Sequence, residues 1–371
     1  MSGAAGIKQQ AAQSASPASA DRFYPIRRAL ETVAGPIVAL LLASAAFSLF
    51  LLALGKSPAD FFSLMWLGAF ASSFSLTNTL QRAAPLLLTA LCVAVPAQLG
   101  LVIIGGEAAV ALGGLASTVV TLPLQGAWPP LVQILMALAG IAAGGGWIAI
   151  TGLLRAKRGI NETVASLVLS YIGIAIFNHL VEGLLRDPAS LNKPSTYDIG
   201  AANMLGPIPG TDLHPGLLVG IVVCILCWVL ISRTSLGFSM RVTGGNLRAA
   251  QLQGLPVNRL IILACVIGGG CAGLAGMIEV AAIQGRANSS LIAGYGYAGI
   301  LIAFLSRQNP LAIIPMSVVL GGIGAAGGLL QRRMDLPDAT VAVLEGFIFV
   351  AILASETMQG RIAWFQPRSK S

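Results

Sequence analysis

The chain has 371 residues, of which 56% are hydrophobic and only 10% charged, with a formal net charge of +8. A water-soluble domain covers itself with charged residues at about a quarter of its positions, so a soluble fold is excluded. The basic excess lies at the ends of apolar runs, where membrane proteins set their orientation, and not in a patch suited to nucleic acid.

Residues 1–28 begin with a stretch rich in Ala, Ser and Gln that lacks the apolar core of a signal peptide. They are expected to form a disordered cytoplasmic tail, with Arg22, Arg27 and Arg28 holding the amino terminus inside. Ten candidate spans follow, at 29–54, 84–104, 105–121, 131–154, 163–183, 216–232, 258–283, 294–306, 310–331 and 338–357. The expected fold is therefore an all-α polytopic transmembrane bundle over residues 29–357, with a second cytoplasmic tail at 358–371. Run 294–306 is too short to cross a bilayer, which takes about 20 residues, so some helices are expected to be broken or re-entrant. Of the 22 Lys and Arg, fifteen fall on the segments this assignment places inside, although Arg332 and Arg333 oppose it locally.

Two connections stand out. The outer loop 184–215 holds five prolines, and the inner loop 233–257 contains a candidate short helix at 246–253 that Gly254 and Pro256 stop. A helix in an inner loop suits a cytoplasmic partner, and an ordinary connection is the plainer alternative. Glycines gather inside the spans, at Gly144–Gly146, at Gly268–Gly270 with Gly273 and Gly276, and at Gly321, Gly322, Gly324, Gly327 and Gly328. Small residues at such spacing let helices approach closely. Gly322, Gly324 and Gly327 match GxGxxG without a preceding strand, and GxxxxGK[ST] is absent, so any ATP would be used by another chain.

The five cysteines all lie in apolar segments and read as packing residues. No Ser/His/Asp grouping or metal-ligand spacing is found, so neither a catalytic site nor a metal is expected. Polar groups within spans are costly in lipid and usually face a cavity or another helix. Glu107, just after Gly105 and Gly106, marks either a discontinuous helix near a solute pathway or a carboxylate at a surface helix end. Asn178 and His179 suit a helix–helix hydrogen bond. Glu279 and Glu345 either line an outer vestibule or, more plainly, pair with Arg286 or Arg332. Tyr295 and Tyr297 are placed at an outer edge as interfacial anchors, or as rings on which a base or sugar stacks. Asn161 suits a helix cap, with Glu162 at the positive end of that helix.

The stretch from Thr234 to Gly276 resembles the signature region of the branched-chain amino acid, simple-sugar and nucleoside class of ABC permeases. Thr234, Gly237, Arg241, Gly244, Asn246, Ala249, Ala250 and Gly254 match its loop pattern. Gly294–Pro315 and Thr79–Leu91 are similar to two further stretches of that class. Gly100–Gly114 resembles the nucleoside-type branch at Gly105 and Glu107 and departs from it at Ile103, Ala108 and Ala109. The resemblance implies the membrane-spanning subunit of an importer in a bacterial inner membrane, with both termini cytoplasmic. It binds no cofactor itself, because a partner ATPase that docks on the loop 233–257 uses the ATP. The other implied partners are a second permease subunit, identical or paralogous, and an extracytoplasmic solute-binding protein. Glu107, Asn178, Tyr295, Tyr297, Glu279 and Glu345 are the candidate pathway residues. The expected solute is a nucleoside, with a simple sugar or a branched-chain amino acid as alternatives within the class. A stand-alone secondary transporter would need coupling carboxylates deep in the bundle, and a membrane enzyme would need clustered polar residues at one interface.

Overall fold

The computed structural model describes residues 24–124, 126–337 and 339–358. The tails expected at 1–28 and 358–371 lie, apart from their innermost residues, outside the described part. Thirteen α-helices are described: α1 (Tyr24–Ala53), α2 (Pro58–Ala69), α3 (Ser73–Ala97), α4 (Gly106–Thr121), α5 (Pro129–Arg158), α6 (Glu162–Glu182), α7 (Gly216–Arg233), α8 (Ser235–Gly245), α9 (Leu247–Leu252), α10 (Val257–Glu279), α11 (Tyr295–Leu305), α12 (Pro310–Met334) and α13 (Ala339–Met358). The chain divides into two compact units. In the first, residues 1–47 with 347–371, the rings of Phe47 and Phe347 meet edge to face with centroids 6.2 Å apart. The second, residues 48–346, holds the candidate site.

Among the described residues, seven helices are long and apolar enough to cross a membrane, and α1 with α2 adds one broken pair. The short apolar segments Ser289–Leu305 and Ala339–Ser355 account for the remaining runs. The ten expected spans thus become seven long helices, a bent pair and two short pieces. The local signals are those the chain chemistry demands. Asn161 accepts the N–H groups of Thr163 and Val164 at the start of α6. Arg155, Lys157 and Arg158 crowd the last turn of α5, which Gly159 closes with a left-handed φ of 66°. Helix α3 starts at Ser73, well before the apolar run at 84, because its first turns carry Asn78, Gln81 and Arg82.

Burial sorts the helices. The apolar windows of α3 and α10 are 78% buried, and that of α7 only 28%. Helix α10 is the axis, packed against α3, α4 and α5. Its glycines make this possible. A Cβ on Gly273 would run into the Gly140 carbonyl of α5, and one on Gly276 into the Val110 carbonyl of α4. Gly140, Gly144, Gly273 and Gly276 therefore mark backbone-on-backbone contacts, whereas Gly146 and Gly328 face open space. Helices α6 and α7 turn Val164, Val168, Ile172, Leu218, Val222 and Leu226 outward, which suits a lipid-facing surface.

Two helices begin halfway through the bundle. After α3, residues 101–105 run without helix, and their backbone is satisfied from α6. Ile104 N–H donates to Ser166 Oγ (3.0 Å), and Thr163 Oγ1 donates to the Val102 carbonyl (3.0 Å). Added carbons at Gly105 and Gly269 would both meet Ile148. That contact sets the start of α4 level with the middle of α10. Helix α11 starts at the same level, because a Cβ on Gly296 would strike the backbone of Glu107. From there α11 runs to Ser306–Asn309, where the Gln98 side-chain amide at the end of α3 donates to the Gln308 carbonyl (3.2 Å). Helix α4 runs the other way. The amino ends of two half-helices meet inside the bundle.

Candidate functional site: a polar cavity above two half-helices

Glu107 occupies the meeting point. It is fully buried, and its two carboxylate oxygens accept N–H groups from Gly294 (2.7 Å) and Gly296 (2.6 Å). Gly294 is the cap of α11, with φ 84°. One side chain of α4 thus satisfies the unpaired donors that begin α11 and places negative charge at both positive helix ends. The helical chain breaks between Ala97 and Gly106, just before Glu107. Its carboxylate is already held by the backbone.

A cavity of about 480 Å³ opens on the face of the bundle opposite the loop 233–257 and reaches down to Tyr295. Asn78, Gln81 and Arg82 from α3, Glu279 from the end of α10, and Gln284, Ser290 and Tyr295 supply its polar lining. Glu279 is 3% exposed. One of its oxygens is 3.4 Å from the Gln284 amide, and the other has no protein hydrogen-bond partner. Directly after Glu279 the helix widens into a π-helical turn, Val280–Gln284, a feature common at functional sites.

The long loop 184–215 packs beside the cavity against the segment 281–290. Thr196 N–H donates to Ala287, Ile199 N–H to Gly285 and Leu205 N–H to Ala281, and Ser195 bridges Asn288 in antiparallel fashion. Arg286 pairs with Asp198 at 3.1 Å, and Lys193 bonds Ser290. Arg286 is therefore engaged by Asp198, and the expected pairing with Glu279 or Glu345 is not formed. Tyr295 and Tyr297 are not at an outer edge, because residues 285–294 descend into the bundle before α11 begins. Tyr295 lines the cavity floor, whereas Tyr297 is 41% exposed on another face. Asn178 on α6 and Glu345 on α13 are half-buried and do not line this cavity. Asn78, Gln81, Arg82 and Gln284 were not singled out from the sequence. For the three on α3 the signal was a run of polar residues, TNTLQR, ahead of a strongly apolar one, and Gln284 had none of that kind.

On the opposite face, loop 233–257 is two helices. Its motif residues build the loop. Thr234 caps α8 by accepting the Gly237 N–H, and Gly237 lies where any side chain would strike the Leu230 and Ile231 carbonyls. Arg241 bonds the Ile231 carbonyl at the end of α7. Gly244 leaves no room for a side chain against Gln98. Asn246 caps α9 by accepting the Ala249 N–H (3.0 Å), Ala250 is buried, and Gly254 takes a φ of 77°. Beside the exposed Arg241 and Asn246, the surface of the loop presents Leu247, Arg248, Gln251 and Leu252, the last 86% exposed.

Among the described residues, no group of three or more His, Cys, Asp or Glu could hold a metal ion. The family described as branched-chain amino acid transport system / permease component matches residues 75–353. The glucose ABC transporter permease protein TsgB13 of Haloferax volcanii is 30% identical over 86% of this chain and 87% of its own. The guanosine ABC transporter permease protein NupP of Bacillus subtilis is 28% identical over 86% and 92%. The nucleoside ABC transporter permease protein NupB of Lactococcus lactis is 26% identical over 85% and 90%.

Proposed function

The chain belongs to the branched-chain amino acid transport system permease family, and from that premise we propose that it carries a nucleoside across a bacterial inner membrane, entering at the cavity above Glu107. As an ABC permease it spans the membrane several times and leaves ATP hydrolysis to partner subunits. The observation that carries the solute class is the pair of half-helix ends. In transporters such ends commonly bind an anionic group of the solute. Here Glu107 already fills that position, so a free carboxylate or phosphate finds no donor there. An uncharged, polar solute fits a lining of amides and hydroxyls in which the Glu279 carboxylate and the Arg82 guanidinium offset each other's charge, and 480 Å³ is within the usual range for a small-molecule site. Relatives named for guanosine and nucleoside transport favour a nucleoside. A relative named for glucose keeps a sugar as the second reading.

In this reading the face carrying the loop 233–257 is cytoplasmic and receives the ATPase through Leu247, Arg248 and Leu252. Both termini lie on that same side. The cavity faces outward to an extracytoplasmic binding protein, and a second permease subunit, identical or paralogous, completes the pathway. Uptake in a strain lacking this gene tests it. Radiolabelled guanosine uptake is expected to fall to background and to return with the gene on a plasmid. Unchanged guanosine uptake with lost glucose or leucine uptake would overturn the nucleoside assignment.

A further inference from the structure

Glu279 poses a question that the fold alone does not answer. Burying a carboxylate without full partners is costly, and each such group in a native fold calls for an explanation. Glu107 shows what a structural carboxylate looks like here, with both oxygens on backbone N–H groups at 2.6 and 2.7 Å. Glu279 is as deeply placed, yet one oxygen has no protein partner and the other only a long contact with Gln284. Arg82 lines the same cavity, and among the described residues no ion pair joins the two. The π-helical turn Val280–Gln284 puts Gln284 beside the carboxylate on the cavity wall.

We infer that Glu279 determines specificity by accepting a hydrogen bond from an N–H or O–H donor of an uncharged solute in the outer cavity. This rests on reading that cavity as the mouth of the pathway. A carboxylate accepts and never donates when ionised, so it selects solutes rich in donors, such as the base edge and hydroxyls of a nucleoside. An anionic solute meets repulsion from it. A zwitterion would have to hold its carboxylate on Arg82, which is exposed to solvent and so contributes little.

The test uses the chromosomal gene with its native partners, and the variants Glu279→Gln, Glu279→Ala and Glu279→Asp. Uptake of guanosine, D-glucose and L-leucine is measured against concentration. A hydrogen bond to a charged group lost from the binding step corresponds to about tenfold or more in KM. Glu279→Gln and Glu279→Ala are therefore expected to raise KM for guanosine at least tenfold with a smaller change in maximal rate. Glu279→Asp should recover part of the loss, and co-purification with the ATPase should be unchanged. If wild-type cells take up glucose and not guanosine, the nucleoside reading fails and the same KM rise, read with glucose, still supports the role of Glu279. Uptake of the carried solute within twofold of wild type in both Glu279→Gln and Glu279→Ala would overturn it. So would uptake confined to leucine, or equal losses in all three variants accompanied by loss of the ATPase.

Discussion

Glu107 joins chain segments 187 residues apart, and it does so through backbone donors that no other described side chain reaches. Hydrogen bonds to a charged group contribute about 1.5–3 kcal/mol each, and removing the acceptor leaves two buried N–H groups unpaired. Glu107→Ala is therefore expected to destabilise the protein by about 3–5 kcal/mol, with Glu107→Gln between it and wild type. All five cysteines are free and buried, so a thiol-reactive dye in detergent reads the unfolding directly. An unchanged midpoint for Glu107→Ala would show that the carboxylate does not hold α11. From the sequence, Glu107 was visible as an acid between apolar runs. Its role was not, because the glycines it binds are far along the chain and carry no side chain to betray the contact. The loop motif taught the reverse lesson: Thr234, Gly237, Arg241, Gly244 and Asn246 stand out as a pattern, and the structure spends them on caps and close contacts.

At the level of elements, hydropathy located the long helices because lipid-facing and core-facing positions are both apolar. It misplaced the start of α3, where polar residues line the cavity, and it read 98–104 as part of a span although 98–100 form a turn and 101–104 are not helical. The loop 233–257 was expected to hold one short helix and holds two, α8 being hidden by its mixed composition. Gly244 sets this loop against Gln98, and Gln98 in turn holds the carbonyl after α11. The half-helix α11, whose first N–H groups Glu107 holds, thus ends beside the loop. Leu252 touches little in this chain, so Leu252→Glu is expected to leave expression and unfolding within about 0.5 kcal/mol of wild type while abolishing co-purification with the ATPase. Retained co-purification would move the docking surface elsewhere. Arg241→Glu is a poorer probe, since it removes a bond to the Ile231 carbonyl and damages the frame of the loop itself.

For the whole molecule, the proposed orientation rests on the arginine and lysine bias, and the structure supplies better positions at which to test it. Ser195 is buried against the 281–288 segment, whereas Leu191 on the same loop is 83% exposed. Leu191→Cys is expected to react with an impermeant maleimide on intact cells, and Leu252→Cys only after permeabilisation. The opposite pattern would invert the assignment of faces. The burial of the native thiols keeps the background low in both experiments.

The contact between α5 and α10 is made largely of main chain, with Gly140 and Gly144 facing Gly269 and Gly273. Interlocked side chains resist sliding because each must leave its rotamer before the next seat is reached. A joint of bare backbone has no such detents. Small shear between packed helices is one of the ordinary ways in which proteins change shape, and a joint with this much main chain in it has fewer side chains to repack. The same smoothness makes the joint intolerant of growth. A methyl group on Gly273 would act as a wedge, prying apart two helices whose separation sets the width of everything around them.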